Sequence, residues 1–146
     1  MTGAEDRDAR TILVVDDEQD ILILLKLMLE THGYRALLAR GAEVALRFLR
    51  QDDLIVDLLL TDVVMPGMNG TDLARSVREL RPDLPILFMS GFVDTDPVRL
   101  KVWDDAVRFL KKPFTEEAFL GNIREILGAV PLPAPTESKA RGVSSP

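Results

Sequence analysis

Five short apolar runs, each followed by a stretch with helical spacing, constrain this chain more than any other feature. Ile12-Leu-Val-Val15 is continuous and β-branched, as a strand buried on both faces should be. Further strands are expected over Tyr34 to Ala39, Ile55 to Thr61, Pro85 to Met89 and Val107 to Leu110. Between them, helical patterns cover Asp20 to Thr31, Ala42 to Arg50, Thr71 to Leu80, a weaker Asp96 to Trp103, and Glu116 to Leu127. Gly33 lies where a helix-ending glycine belongs, Thr115 where an N-cap does. Met65-Pro-Gly-Met-Asn-Gly70 is a turn by composition. Alternating strands and helices of this kind imply an α/β fold: a parallel sheet with helices on both faces.

The 146 residues suit one domain with one core. Residues 1–10 are polar and unpatterned, and are expected to form a loose arm. From residue 129 prolines alternate with small residues and serines close the chain, so 129–146 is expected to be a disordered tail. The patterned domain is then 11–128. There is no cysteine and one histidine, His32, which removes thiolate and multi-histidine metal sites. A net charge of −6 argues against nonspecific nucleic-acid binding. No basic, apolar leader opens the chain. The longest apolar runs, Ile21 to Leu25 and Leu27 to Leu29, fall far short of the ~20 residues of a membrane span. Cytoplasmic location without membrane insertion is the expectation.

In a sheet of this type ligands bind beyond the carboxyl ends of the strands, where strand order switches. Four such ends carry polar residues: Asp16-Asp17-Glu18, Asp62, Ser90-Gly91, and Lys111-Lys112-Pro113-Phe114. In a parallel sheet all four face the same side and can converge on one pocket.

Taken together, Val14-Val-Asp-Asp-Glu18, Leu60-Thr-Asp-Val-Val-Met-Pro-Gly-Met-Asn-Gly70, Leu87-Phe-Met-Ser-Gly91 and Lys111-Lys-Pro-Phe114 resemble the receiver domains of bacterial two-component systems. The likeness spans roughly residues 11 to 127. It implies a flavodoxin-like, doubly wound sheet of five parallel strands in the order 2-1-3-4-5, with five helices. It also implies a signalling receiver rather than an enzyme. Asp62 would be the phosphoacceptor, Lys112 the positive charge beside the phosphoryl oxygens, Ser90 a hydroxyl donor, and Ser90 and Phe109 the switch pair. The Lys112–Pro113 peptide is cis in that family. The expected cofactor is Mg2+, held directly by Asp17 and Asp62, through water by Asp16, and by the carbonyl of Val64. Expected partners are a sensor or hybrid histidine kinase, a histidine phosphotransfer protein, or a second copy of the chain.

The residues make chemical sense beside that likeness. Clustered carboxylates repel unless a cation neutralises them, and an all-oxygen donor set suits Mg2+. Simpler roles exist for each residue alone. Asp16 and Asp17 could be acids at a helix N-terminus, and Asp62 a turn residue. Ser90 could be a plain strand-end hydroxyl and Phe109 plain core. Lys111 reads as a surface charge, His32 as a helix-end residue meeting the last carbonyls, and Trp103 as packing. The complete set favours the chemical reading.

The first helix is more apolar than one buried face needs, from Ile21 through Leu29. It is either wedged among neighbours or offers a docking patch, with Leu22 and Leu29 taken as outer positions. Two positions that tune phosphoryl lifetime in the family are Val64 and Phe92 here. Neither can position an attacking water, so a long-lived phosphoryl state is expected. No effector segment follows the last helix, so the expected role is a stand-alone receiver without DNA binding, its output passing through protein contacts. A phosphatase of the haloacid dehalogenase type would need an acid where Val64 stands. A degenerate, purely binding receiver would not need the full set of Asp16, Asp17, Asp62, Ser90 and Lys112. A phosphorelay intermediate fits the sequence equally well.

Overall fold

The computed structural model describes residues 9–63, 67, 70–90 and 107–128, with backbone alone for Thr71 and Ser90. Its elements run β1 (Thr11–Val15), α1 (Gln19–Thr31), β2 (Arg35–Ala39), α2 (Ala42–Leu49), β3 (Leu58–Asp62), α3 (Gly70–Leu80), β4 (Ile86–Ser90), β5 (Val107–Lys111) and α4 (Glu116–Leu127). The expected helix over Asp96 to Trp103 lies outside the described residues, as do most of the N-terminal arm and the tail.

All strand pairs are parallel, in the order β2-β1-β3-β4-β5. The continuous apolar runs divide their side chains between two cores. Leu13, Val15, Leu59, Ile86 and Phe88 face α2 and α3. Ile12, Val14, Leu58, Leu60, Leu87 and Met89 face α1 and α4. Both faces are covered, so no polar alternation survives in the central strands. Each helix supplies one stripe, such as Leu73, Ala74 and Val77 of α3, all fully buried.

The helix ends follow from local chemistry. After α1 the chain turns through Gly33 at φ 91°. The Tyr34 N–H donates to the Leu29 carbonyl and the Gly33 N–H to that of Glu30. This Schellman arrangement closes the helix and buries Tyr34 in the same cluster as Leu29. Tyr34 is therefore spent on the cap, and β2 starts one residue later than expected. His32 meets the Met28 carbonyl through Nδ1 at 2.9 Å, as a helix-end histidine should. The Thr115 hydroxyl accepts from the Ala118 N–H at 3.0 Å and caps α4.

The expected start of the third strand needs correction. Ile55 is 68% exposed and β3 begins only at Leu58. The intervening Asp57 instead clasps Thr11: its carboxylate accepts the Thr11 N–H, and its own N–H donates to the Thr11 carbonyl. At the other end β3 includes Asp62, which places that carboxylate on the strand itself.

Candidate functional site

The carboxyl ends of β1, β3 and β5 bring three of the expected residues together. β3 is central, paired with β1 through Thr61 and with β4 through Asp62. The strand continues in one more bond, from the Val63 N–H to the Met89 carbonyl. Asp62 is thereby held by the backbone of β4, and its neighbour Thr61 by that of β1. Lys112 arrives from the loop after β5, and its Nζ donates to Asp62 Oδ2 at 2.9 Å. The Lys112–Pro113 peptide is cis, as the resemblance implies. Lys111, one residue earlier, is exposed.

Asp16 lies at the end of β1 and is 1% exposed. Its N–H donates to the Ala39 carbonyl of β2. Oδ1 accepts from the Glu18 N–H at 2.9 Å, and Oδ2 is buried with no hydrogen-bond partner among the described residues. Burial pushes its carboxyl above the ordinary carboxylate range. The charges of Asp62 and Asp17 push the same way, while the Glu18 N–H and Lys112 pull it back. Asp17 follows at the rim, half-buried, with its carbonyl 3.5 Å from Arg40 Nη2. A buried carboxylate oxygen among other carboxylates is chemically suited to a hard cation.

Phe109 is half-buried and stacks on Phe88, ring centroids 5.2 Å apart. It therefore reaches the core against α2 and α3. Ser90 closes β4 beside Lys111, which puts its backbone at the same end of the sheet; its side chain, like all of Val64 and Phe92, lies outside the described residues. One participant escaped the sequence reading: buried Thr61 donates its hydroxyl to the Asp62 carbonyl at 3.0 Å. A threonine in a strand reads only as strand propensity, so nothing in the sequence marks it.

The sequence matches the response regulator receiver domain over residues 12–124. The chain belongs to the response regulator receiver family. Signalling through an aspartyl phosphate, with Mg2+, is general in that family, whose domains are signalling modules rather than classical enzymes. The receiver is 41% identical over 106 residues to a two-component response regulator, ARR14, of Arabidopsis thaliana, covering 73% of this chain and 28% of that protein. It is 38% identical over 116 residues to the transcriptional regulatory protein CpxR of Escherichia coli, covering 80% of this chain and 48% of that one. It thus spans less than half the length of either relative. Among solved structures, the chemotaxis protein CheY4 of Vibrio cholerae superposes with a TM-score of 0.72 at 26% identity, covering 82% of this chain and 99% of that one. The CheY-like sheet order is the one that the resemblance implied. No described helix is long and apolar enough to cross a membrane.

Proposed function

We propose that this receiver accepts a phosphoryl group on Asp62 from a histidine kinase or a histidine phosphotransfer protein, with Mg2+, and signals through protein contacts. The observation that carries the proposal is the contact of Lys112 Nζ with Asp62 Oδ2, 2.9 Å, beside the buried carboxylate of Asp16. A carboxylate oxygen of Asp62 attacks phosphorus. The bond from phosphorus to the donor's nitrogen or oxygen breaks, and the leaving group keeps the electron pair. The product is an acyl phosphate, and Lys112 is placed to meet its charge.

The donor set fits Mg2+. Asp16, Asp17 and Asp62 offer only oxygen, and Asp16 Oδ2 is buried with no partner among the described residues. Among the described residues no group of three acids or histidines is placed to enclose an ion by itself. Asp17 and Asp62 would hold it directly, Asp16 through water, with the Val64 carbonyl completing the protein share. When bound, Mg2+ neutralises charge on the incoming phosphoryl group.

Ser90 is the proposed hydroxyl donor to the phosphoryl group and Phe109 the aromatic that repacks with it, a local charge event with a packing readout. Val64 and Phe92 offer no group to activate water, so the phosphoryl state should outlast minutes. Exposed Ile23, Leu24 and Leu27 on α1 are the proposed partner surface. They adjoin an apolar groove of about 570 Å³ lined by Ile21, Met28, Pro113 and Phe114, close to Lys112.

Incubation with acetyl phosphate and Mg2+ should give a phosphoryl mass adduct on the wild-type chain, none on Asp62→Ala, and none with EDTA. An adduct on Asp62→Ala would move the acceptor elsewhere. No adduct on the wild type, even with a partner kinase, would leave a receiver kept for binding alone.

A further inference from the structure

Gly70 opens α3 and is buried against the backbone of the acceptor. Its N–H donates to the Val63 carbonyl at 2.7 Å. A β-carbon built on it would lie 2.2 Å from the Asp62 carbonyl oxygen, 2.9 Å from Val63 Cα and 3.1 Å from the Asp62 carbonyl carbon. All three neighbours are backbone, so no flexible side chain can yield. Gly41, Gly67 and Gly128 adopt positive φ with open space around them; Gly70 does not adopt positive φ. What Gly70 supplies is room for close approach.

We infer that Gly70 is a positioning residue: the missing side chain lets α3 press on the Asp62 carbonyl and sets where the acceptor carboxylate stands, an inference that rests on Asp62 being the acceptor. Both sides of this contact are held. Asp62 pairs with Met89 of β4, its neighbour Thr61 pairs with Val15 of β1, and the Asp62 carbonyl also receives the Thr61 hydroxyl. α3 is locked by Leu73, Ala74 and Val77, each fully buried. A methyl group at position 70 therefore displaces the Asp62–Val63 peptide, and with it the carboxylate that meets Lys112. In-line transfer tolerates such displacement poorly; about 1 Å costs on the order of 100-fold in rate.

The test compares Gly70→Ala with Leu49→Ala, which empties a buried site in α2 remote from Asp62. Phosphorylation by acetyl phosphate is measured against donor concentration at saturating Mg2+, and folding by urea denaturation. Gly70→Ala should lower the maximal rate at least 10-fold with little change in the half-saturating donor concentration. Leu49→Ala should lose stability and keep the rate. An unchanged rate in Gly70→Ala, or an equal loss in Leu49→Ala, overturns the inference. If Gly70→Ala does not fold, the measurement passes to Thr61→Val, which frees the same carbonyl: slowing supports the inference and a wild-type rate overturns it. If the wild type itself takes no phosphoryl group, the acceptor reading fails, and the NMR chemical shifts of the Asp62 and Val63 amides then decide. Shifts moved by Gly70→Ala and not by Leu49→Ala support the positioning role; shifts that do not move overturn it.

Discussion

Asp16 is a buried carboxyl whose charge bears on the stability of the fold. Its carboxyl is raised by burial and by its acidic neighbours, so the folded state binds its proton more tightly than the unfolded state. The resulting contribution to stability is complete below the ordinary value of 3.8 and is lost as pH rises through the raised folded value. Above that window the buried charge weighs against folding. Asp16→Asn should therefore stabilise the metal-free protein at pH 7 by about 1–2 kcal/mol, and by less near pH 4. Urea denaturation at the two pH values checks this; a loss of stability at pH 7 would mean the charge is already compensated. Lys112→Ala should slow phosphorylation by about 100-fold, since a preorganised charge beside the reacting group is removed. Lys112→Arg should recover little of it, because a planar fork does not replace a point charge. Rates with acetyl phosphate at fixed Mg2+ measure both.

At the scale of elements, α1 separates its roles by face. Leu22, Leu25 and Leu29 are at most 2% exposed, while Ile23, Leu24 and Leu27 are 45%, 52% and 59% exposed. Leu22 and Leu29, taken from the sequence as outer positions, are thus core residues. An all-apolar helix does not reveal its rotation; only packing against the sheet selects the inner stripe. Leu27→Glu should change stability by less than about 0.5 kcal/mol and weaken association with a kinase. Leu29→Glu should unfold the protein by burying a charge. Binding by calorimetry and melting curves separate the two, and unchanged binding of Leu27→Glu would remove α1 as the partner surface. On α4, Thr115→Ala should cost about 1 kcal/mol through loss of the cap, read from denaturation.

For the molecule as a whole, the site and the core are one equilibrium. A ligand that binds only the folded state at 100 times its Kd adds about 2.7 kcal/mol. Mg2+ should accordingly raise the melting temperature by about 10 °C, EDTA should reverse it, and Asp62→Asn should abolish most of the shift. A shift that survives in Asp62→Asn would put the cation elsewhere.

The sequence by itself determined the element types, the glycine turn after α1, the Thr115 cap and the set of polar residues at strand ends. These follow from local chemistry: apolar spacing, backbone freedom and the position of a hydroxyl act over a few residues. Its resemblance to receivers supplied the sheet order and the roles of Asp62 and Lys112. Tertiary structure alone decided that Ile55 stays outside β3, which stripe of α1 is buried, that Asp16 Oδ2 has no partner among the described residues, and that Gly70 packs closely on the Asp62 backbone. Lys112 and Asp62 stand 50 residues apart in the chain and 2.9 Å apart in space. Such contacts arise only when all elements are packed together, because burial and close approach depend on every neighbour at once and not on the local run of residues.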